Sequence, residues 1–485
     1  MIKREVLPTL VPGLDLILGG GLTASAVVLL VGTPGAGKTV LASQLLFQMA
    51  HNGARGLIVT NASEGTGKLL AHLDSLDFFD EALIGNKIML LPFSALLSGD
   101  SEATEPAIIA TIRRLDVQWL MVDGFQGAAG LLGSTNAVRR FLGTLANISS
   151  YLNVTCLVTM EGHGRDPQIA AELTVVDTVL GLEYGVEGWD HMRRIEVIKN
   201  RGSSHLHGLH TYAIDAQGFT IFPRLESLPR PLVQAQARGQ AGFGLPELDA
   251  LIAGGLTTGT ATVLAGAPGT GKTTLALHWA LAGARPEQPT ILVSFGEDAE
   301  QLQRKAKTFG LDLDAASATG SVVVLHVTAS DFTPDIVTAS VLAALTTSGQ
   351  RVVVDGVGVL VQVLGARART HLTALAIHLA SRRATSLYTL EIEPFVGFRL
   401  DTRYSPIQPI ADNLLVMQYT LALGTLHYML AVLKTRFSPY DPTLRELLLR
   451  PTGIKVLAPQ ETAPGVFESI AESGGGISPG NRRTV

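Results

Sequence analysis

Two short stretches of this chain combine residue types that bind polyphosphate. Gly32-Thr33-Pro34-Gly35-Ala36-Gly37-Lys38-Thr39 and Gly266-Ala267-Pro268-Gly269-Thr270-Gly271-Lys272-Thr273, the second followed by Thr274, both read G-x-x-x-x-G-K-T. This is the Walker A spacing. Its glycines let backbone N–H groups turn inward and approach phosphate oxygens closely. The helix that follows aims the positive end of its dipole at the same anion. In such a loop Lys38 and Lys272 reach the β- and γ-phosphates, while the hydroxyls of Thr39 and Thr273 ligate Mg²⁺. The ligand this pattern implies is ATP with Mg²⁺, bound twice.

Two further acids belong to the same chemistry. Asp123 closes the apolar run LMVD and Asp355 the run VVVD. A carboxylate at the C-terminal end of such a strand holds the Mg²⁺ shell, which is the Walker B arrangement. Hydrolysis also needs a carboxylate that orients or deprotonates the attacking water. We expect it at the end of the strand beside the phosphate-loop strand. In the second half that strand is taken to be ILVSFGED, which offers Glu297 and Asp298; in the first half LIVTNASE offers Glu64, displaced along the loop. Glu297 and Lys272 are therefore the expected catalytic residues of the second half and Glu64 that of the first, with the second half the better equipped.

The elements that position these residues repeat. Lys38 and Lys272 are 234 residues apart, Asp123 and Asp355 are 232 apart, and Lys199 and Lys434, each opening a Lys-x-Arg, are 235 apart. PGLDLILGGGL and PELDALIAGGL precede the two loops. A repeat this long means a duplicated domain, not a solenoid. We expect one domain over 1–224, a linker over 225–239 where Pro, Gln and Arg break the apolar pattern, a second domain over 240–458, and a disordered Gly/Ser/Glu/Pro-rich tail over 459–485. Within each half short apolar runs (Val27–Val31, Leu57–Thr60, Leu120–Asp123, Cys156–Thr159) alternate with helical stretches such as Lys38–Met49. That alternation predicts an α/β fold, a mostly parallel sheet flanked by helices. Arg194–Lys199 and Tyr428–Lys434 read as strands added near each domain's end.

Composition narrows the function classes. Of 485 residues 46% are hydrophobic and 16% charged, which suits a globular chain. Lys and Arg number 37 against 42 Asp and Glu, a net charge of −5, and this mild acidity argues against nucleic acid as the main partner. The single cysteine, Cys156, rules out a disulfide framework within the chain and fits a reducing, cytoplasmic setting. Apolar runs such as Val352–Val363 are too short or interrupted to span a bilayer.

With both Walker pairs in place, the phrase IKNRGSSHLHG over Ile198–Gly208, and its diverged counterpart LKTRFSPYD over Leu433–Asp441, resemble the KaiC-like family of RecA-fold ATPases over nearly the whole chain to about Pro459. The resemblance implies tandem RecA-like P-loop domains in a homo-hexameric double ring, with ATP at subunit interfaces and signalling proteins as partners. It assigns Lys199, Arg201, Lys434 and Arg436 to the ATP of the neighbouring subunit, where cations stabilise charge as an arginine finger does. The chain also departs from that family. The adjacent glutamates of the family are reduced to Gly296-Glu297 in the second half and are broken at Ala62-Ser63-Glu64 in the first. By this resemblance the family's autophosphorylation positions fall on Gln408 and Pro409, with Ser405 and Thr402 displaced nearby.

Slow ATP hydrolysis driving ring conformation is the leading reading. The alternatives are a nucleotide-gated scaffold with negligible turnover, an autokinase using Ser405 or Thr402, and a DNA-dependent motor. His205, His207 and His210 could bind a metal by spacing alone, but no acidic or Cys partner stands beside them. Arg382-Arg383 reads as a solvated helix face, and Trp119 as packing.

Overall fold

The computed structural model describes residues 5–60, 66–95, 101–125, 135–166, 174–187, 190–232, 239–328, 332–392, 407–422, 424–462 and 466. The chain divides into two compact units, Met1–Leu228 and Pro229–Val485.

The first unit is organised by the strand Val27–Gly32, in which all six residues are buried. Side chains alternate across a strand, so this run must feed two cores. Val28 and Leu30 pack into one cluster with Leu41, Leu45 and Phe47 of the helix Lys38–His51. Val27, Leu29 and Val31 pack on the other face with Phe141, Leu142 and Leu145 of the helix Thr135–Leu152. A strand apolar on both faces belongs inside a sheet covered by helices on both sides, as the sequence pattern predicts.

That sheet has nine strands, in the order Gly218–Phe222, His210–Asp215, Asp190–Asn200, Thr178–Glu187, Val27–Gly32, Thr155–Glu161, Trp119–Asp123, Gly56–Thr60, Ile88–Pro92. The pairings from Thr178–Glu187 through Ile88–Pro92 are parallel, and the three beyond it are antiparallel. The second unit repeats this order: Gly453–Val456, Arg445–Arg450, Thr425–Lys434, Asn413–Ala422, Ala261–Gly266, Thr385–Glu391, Arg351–Asp355, Thr290–Ser294, Val322–His326. Its helix Lys272–Ala282 packs Leu275, Leu277 and Trp279 against Leu264, Leu292, Val353 and Leu387 of the sheet. The expected tandem α/β fold is therefore the observed one.

The order corrects one expectation. In the first unit Gly56–Thr60, the strand of LIVTNASE, does not lie beside the phosphate-loop strand, and in the second neither does Thr290–Ser294, which leads into Glu297. Thr290–Ser294 pairs with Arg351–Asp355, and Thr385–Glu391 stands between that strand and Ala261–Gly266. Which strand fills that place is a matter of register between distant segments, which alternation along the chain does not encode.

Around the expected boundary, Leu225–Ser227 forms a short 3-10 turn with Leu225 buried. Beyond 458, Pro459–Glu461 forms another, and Val466 is buried against Ala422 and Met429. Among the described residues no helix is long and apolar enough to cross a membrane.

Candidate functional site

Both Walker A loops sit at the C-terminal ends of the central strands and open into long helices. The turn is possible because Gly37 (φ 82°) and Gly271 (φ 91°) adopt the left-handed conformation immediately before Lys38 and Lys272. Gly32 and Gly266 are demanded by crowding instead. A Cβ on Gly32 would lie 2.2 Å from the Leu182 carbonyl oxygen, and one on Gly266 would lie 2.4 Å from that of Met417.

The side chains expected to form the site then converge in the same way twice. The Lys38 ammonium donates to the carbonyl oxygens of Gly32 and Thr33, each at 2.9 Å. Lys272 donates to those of Gly266 at 3.0 Å and Ala267 at 2.8 Å. Burial lowers the pKa of both lysines, offset by the nearby charges of Glu161 then Asp123 for Lys38, and of Glu391 then Asp355 for Lys272. A desolvated ammonium over a cradle of backbone amides is suited to a polyanion, whose charge replaces the lost hydration.

The Thr39 hydroxyl donates to Asp123 Oδ1 at 2.9 Å, and Thr273 to Asp355 at 3.0 and 3.2 Å. Both aspartates are about nine-tenths buried, each 8% exposed. Hydroxyl and carboxylate oxygens in contact at a phosphate loop are the hard donor set that Mg²⁺ takes together with phosphate oxygens. Burial pushes the Asp355 carboxyl above its ordinary range, against the hydrogen bonds from Thr389 and Thr273.

The geometry reveals two residue pairs that the motifs did not. Thr159 donates to Asp123 Oδ1 at 2.7 Å and accepts the Gly124 N–H at 2.8 Å; Thr389 does the same for Asp355 at 2.6 Å and Gly356 at 2.8 Å. Two residues on, Glu161 and Glu391 stand in register with Gly32 and Gly266. They are thus the acids that end the strand beside the phosphate loop in each unit. The signal was present in the repeated endings LVTME and LYTLE, but only the sheet order says that these strands neighbour the loop.

Glu297 lies past the end of the strand beside Asp355. Its backbone is tied at Ser294, whose hydroxyl donates to the Glu297 carbonyl at 2.7 Å and accepts the Glu297 N–H at 3.2 Å. Its carboxylate contacts the Lys305 ammonium. Its charge acts on Asp355, which brings it to the site from the Walker B side. Asp298 is used differently, capping the helix Ala299–Thr308 in a capping box with Gln301. Glu64, Ser405 and Thr402 lie outside the described residues; Pro409 sits in the 3-10 turn Gln408–Ile410.

Lys199 and Lys434 do not reach their own loops. Lys199 is in register with Val179 and, through it, Leu29; Lys434 is in register with Leu414 and Val263. Each is therefore three residues, or roughly 10 Å, below the loop glycine along the sheet. Lys199 donates downward to the carbonyls of Val176 (2.6 Å) and Thr174 (3.2 Å), and Lys434 to that of Ala411 (2.5 Å). Arg201 approaches Asp177 at 3.9 Å and Arg436 pairs with Asp412 at 3.0 Å. Those two aspartates also accept the first N–H of the phosphate-loop strand, Val27 and Ala261, each at 3.1 Å. All four cations are thus held at the end of the sheet opposite their own loop.

The three histidines do not converge. His205 and His207 stack edge to face, and burial lowers the His205 pKa, with His207 adding to it. His210 is buried, and its Nδ1 accepts the Arg224 N–H at 3.1 Å. Trp119, 4% exposed, packs in the core.

A family model described as the KaiC ATPase matches residues 7–226 and again 241–461. The circadian clock oscillator protein KaiC 1 of Synechocystis sp. (strain ATCC 27184 / PCC 6803 / Kazusa) is 26% identical over 90% of this chain and 86% of its own length. The circadian clock oscillator proteins KaiC of Picosynechococcus sp. (strain ATCC 27264 / PCC 7002 / PR-6), 27% identical over 92% and 89%, and of Parathermosynechococcus lividus, 27% over 92% and 84%, are similar throughout.

Proposed function

The chain belongs to the KaiC ATPase family, matched twice along its length, and on that premise we propose that it binds Mg-ATP at both phosphate loops, between neighbouring copies of itself, and hydrolyses it slowly. The observation that carries this reading is the duplicated constellation of Lys, Thr, Asp and supporting Thr with the same hydrogen-bond partners in both units.

In the second unit the backbone amides of Gly266–Thr273 cradle the phosphates, and Lys272 moves from the loop carbonyls to the β- and γ-phosphates. Thr273 and Asp355 would hold Mg²⁺, which would supply charge neutralisation at the phosphate oxygens. Glu297 orients the attacking water. Lys434 and Arg436, pointing away from their own loop, complete the site of an adjacent copy. In the first unit Lys38, Thr39 and Asp123 act alike, with Lys199 and Arg201 directed to the neighbour and Glu64 as the acid.

Assembly into a closed ring, a hexamer by family likeness, follows from sites shared between copies. Ligand bound only at the interface favours the assembled state by mass action. Ring conformation is then the output read by signalling partners. The equivalents of the clock phosphosites are Gln408 and Pro409, which have no hydroxyl to accept phosphate, so a phosphorylation cycle there forms no part of this reading.

The test is steady-state phosphate release with Mg-ATP, comparing the intact chain with Lys272→Ala. Release that falls sharply in the variant supports a working second site. ATP binding without any release from the intact chain removes the hydrolytic role and leaves a nucleotide-gated scaffold.

A further inference from the structure

The carboxylate of Glu297 is held from one side only. Oε1 is engaged by the Lys305 ammonium, whereas Oε2 is buried with no hydrogen-bond partner among the described residues. The side chains of both residues are about one-third exposed, 32% for Lys305 and 29% for Glu297, so the pair sits at the rim of the site rather than in bulk solvent.

The local sequence explains how Lys305 gets there. The Asp298 capping box, one residue after Glu297, fixes where the helix Ala299–Thr308 begins. Helical side chains lean toward the N-terminus, so a long one from Lys305, two turns along, can fold back to the residue before the cap. The third member of the cluster is Asp355, whose carboxyl feels the negative charge of Glu297 and the positive charge of Lys305. Two carboxylates facing one divalent cation site compete for it. Without a cation of its own, Glu297 would be drawn into the metal shell instead of standing off to hold water.

We propose that Lys305 is a positioning residue for the second site: by holding Oε1 of Glu297 it keeps that carboxylate off the Mg²⁺ position and presents Oε2 to the attacking water. The inference rests on the hydrolytic reading above. It also distinguishes the two units. Leu302 and Ala306 are buried positions of their helix as Leu69 and Leu73 are of the helix Thr66–Leu73, and at that offset Lys305 falls on His72. The first unit therefore has a shorter side chain there, neutral when unprotonated, and the second unit's water-orienting geometry is its own.

The test is a double-mutant cycle in the full chain, reading kcat and KM for Mg-ATP of wild type, Lys305→Met, Glu297→Gln and the double variant, with Lys305→Arg as the conservative variant. Lys305→Met keeps the aliphatic stem and removes the charge. It should lower kcat roughly tenfold, the scale of a misplaced catalytic group, and leave KM within about twofold. Lys305→Arg should recover most of the rate. In the Glu297→Gln background Lys305→Met should do nothing further, because the group it positions is gone. A kcat loss that is equally large in both backgrounds, a rate that rises on removing the lysine, or a change confined to KM each overturns the assignment. Wild-type protein that binds Mg-ATP but never releases phosphate overturns the hydrolytic reading, and this assignment with it. Turnover by wild type that Lys305→Met leaves intact overturns this assignment alone.

Discussion

Replacing Thr389 with valine tests the part of the site that the motifs did not announce. The two side chains have nearly the same shape, so Thr389→Val removes chemistry and leaves volume. Thr389 is 3% exposed, donates to Asp355 Oδ1 at 2.6 Å and accepts from the Gly356 N–H at 2.8 Å. Losing a hydrogen bond to a charged group costs about 1.5–3 kcal/mol, and orphaning the part-buried Gly356 N–H costs about 1 kcal/mol or somewhat more. The new buried methyl returns about 0.8 kcal/mol. The net expectation is a loss of about 3 kcal/mol, which for a unit of this size is a drop of about 8 °C in its thermal midpoint. The same bond helps hold Asp355 in its charged form against burial, so the affinity for Mg²⁺ measured with ATP present should fall about tenfold, as it does when a metal ligand loses its supporting partner. Calorimetry and Mg²⁺ titration read the two effects. Thr389→Ser, which retains the hydroxyl, should preserve Mg²⁺ affinity. A valine variant that melts within about 2 °C of wild type and binds Mg²⁺ equally well would refute the idea that this threonine supports the aspartate.

Two further outcomes follow from the geometry. If Lys434 and Arg436 serve an adjacent copy, a chain with Lys272→Ala and a chain with Lys434→Ala and Arg436→Ala should each lose second-site phosphate release yet recover part of it when mixed, because some interfaces then join an intact loop to intact cations; no recovery on mixing would remove the shared site. Burial lowers the His278 pKa, and its Nε2 accepts the Ile454 N–H at 3.3 Å. A depressed folded pKa contributes stability above the unfolded value, about 6.5, that is lost as pH falls through the folded one. The second unit should therefore weaken as pH drops below about 6.5, and His278→Gln should flatten that slope; an unchanged pH dependence of the melting midpoint in the variant would assign the slope to other groups.

What could be read from the sequence was local. A Walker loop is consecutive residues between a strand and a helix, so Lys38, Thr39, Lys272 and Thr273 announced themselves, and the two aspartates did so by closing short apolar runs. Duplication was equally plain, since matching offsets survive any folding detail, and two-sided apolar runs such as Val27–Val31 imply a sheet covered on both faces. The tertiary structure alone decided which strands are neighbours. Parallel pairing joins segments more than a hundred residues apart, here Gly32 with Glu161 and Gly266 with Glu391, through backbone hydrogen bonds whose register leaves no periodic trace along the chain. For that reason the strand leading to Glu297 was misplaced beside the loop, Thr159 and Thr389 went unnoticed, and Lys305 could be recognised only once a helix cap had set the turn from which it reaches back.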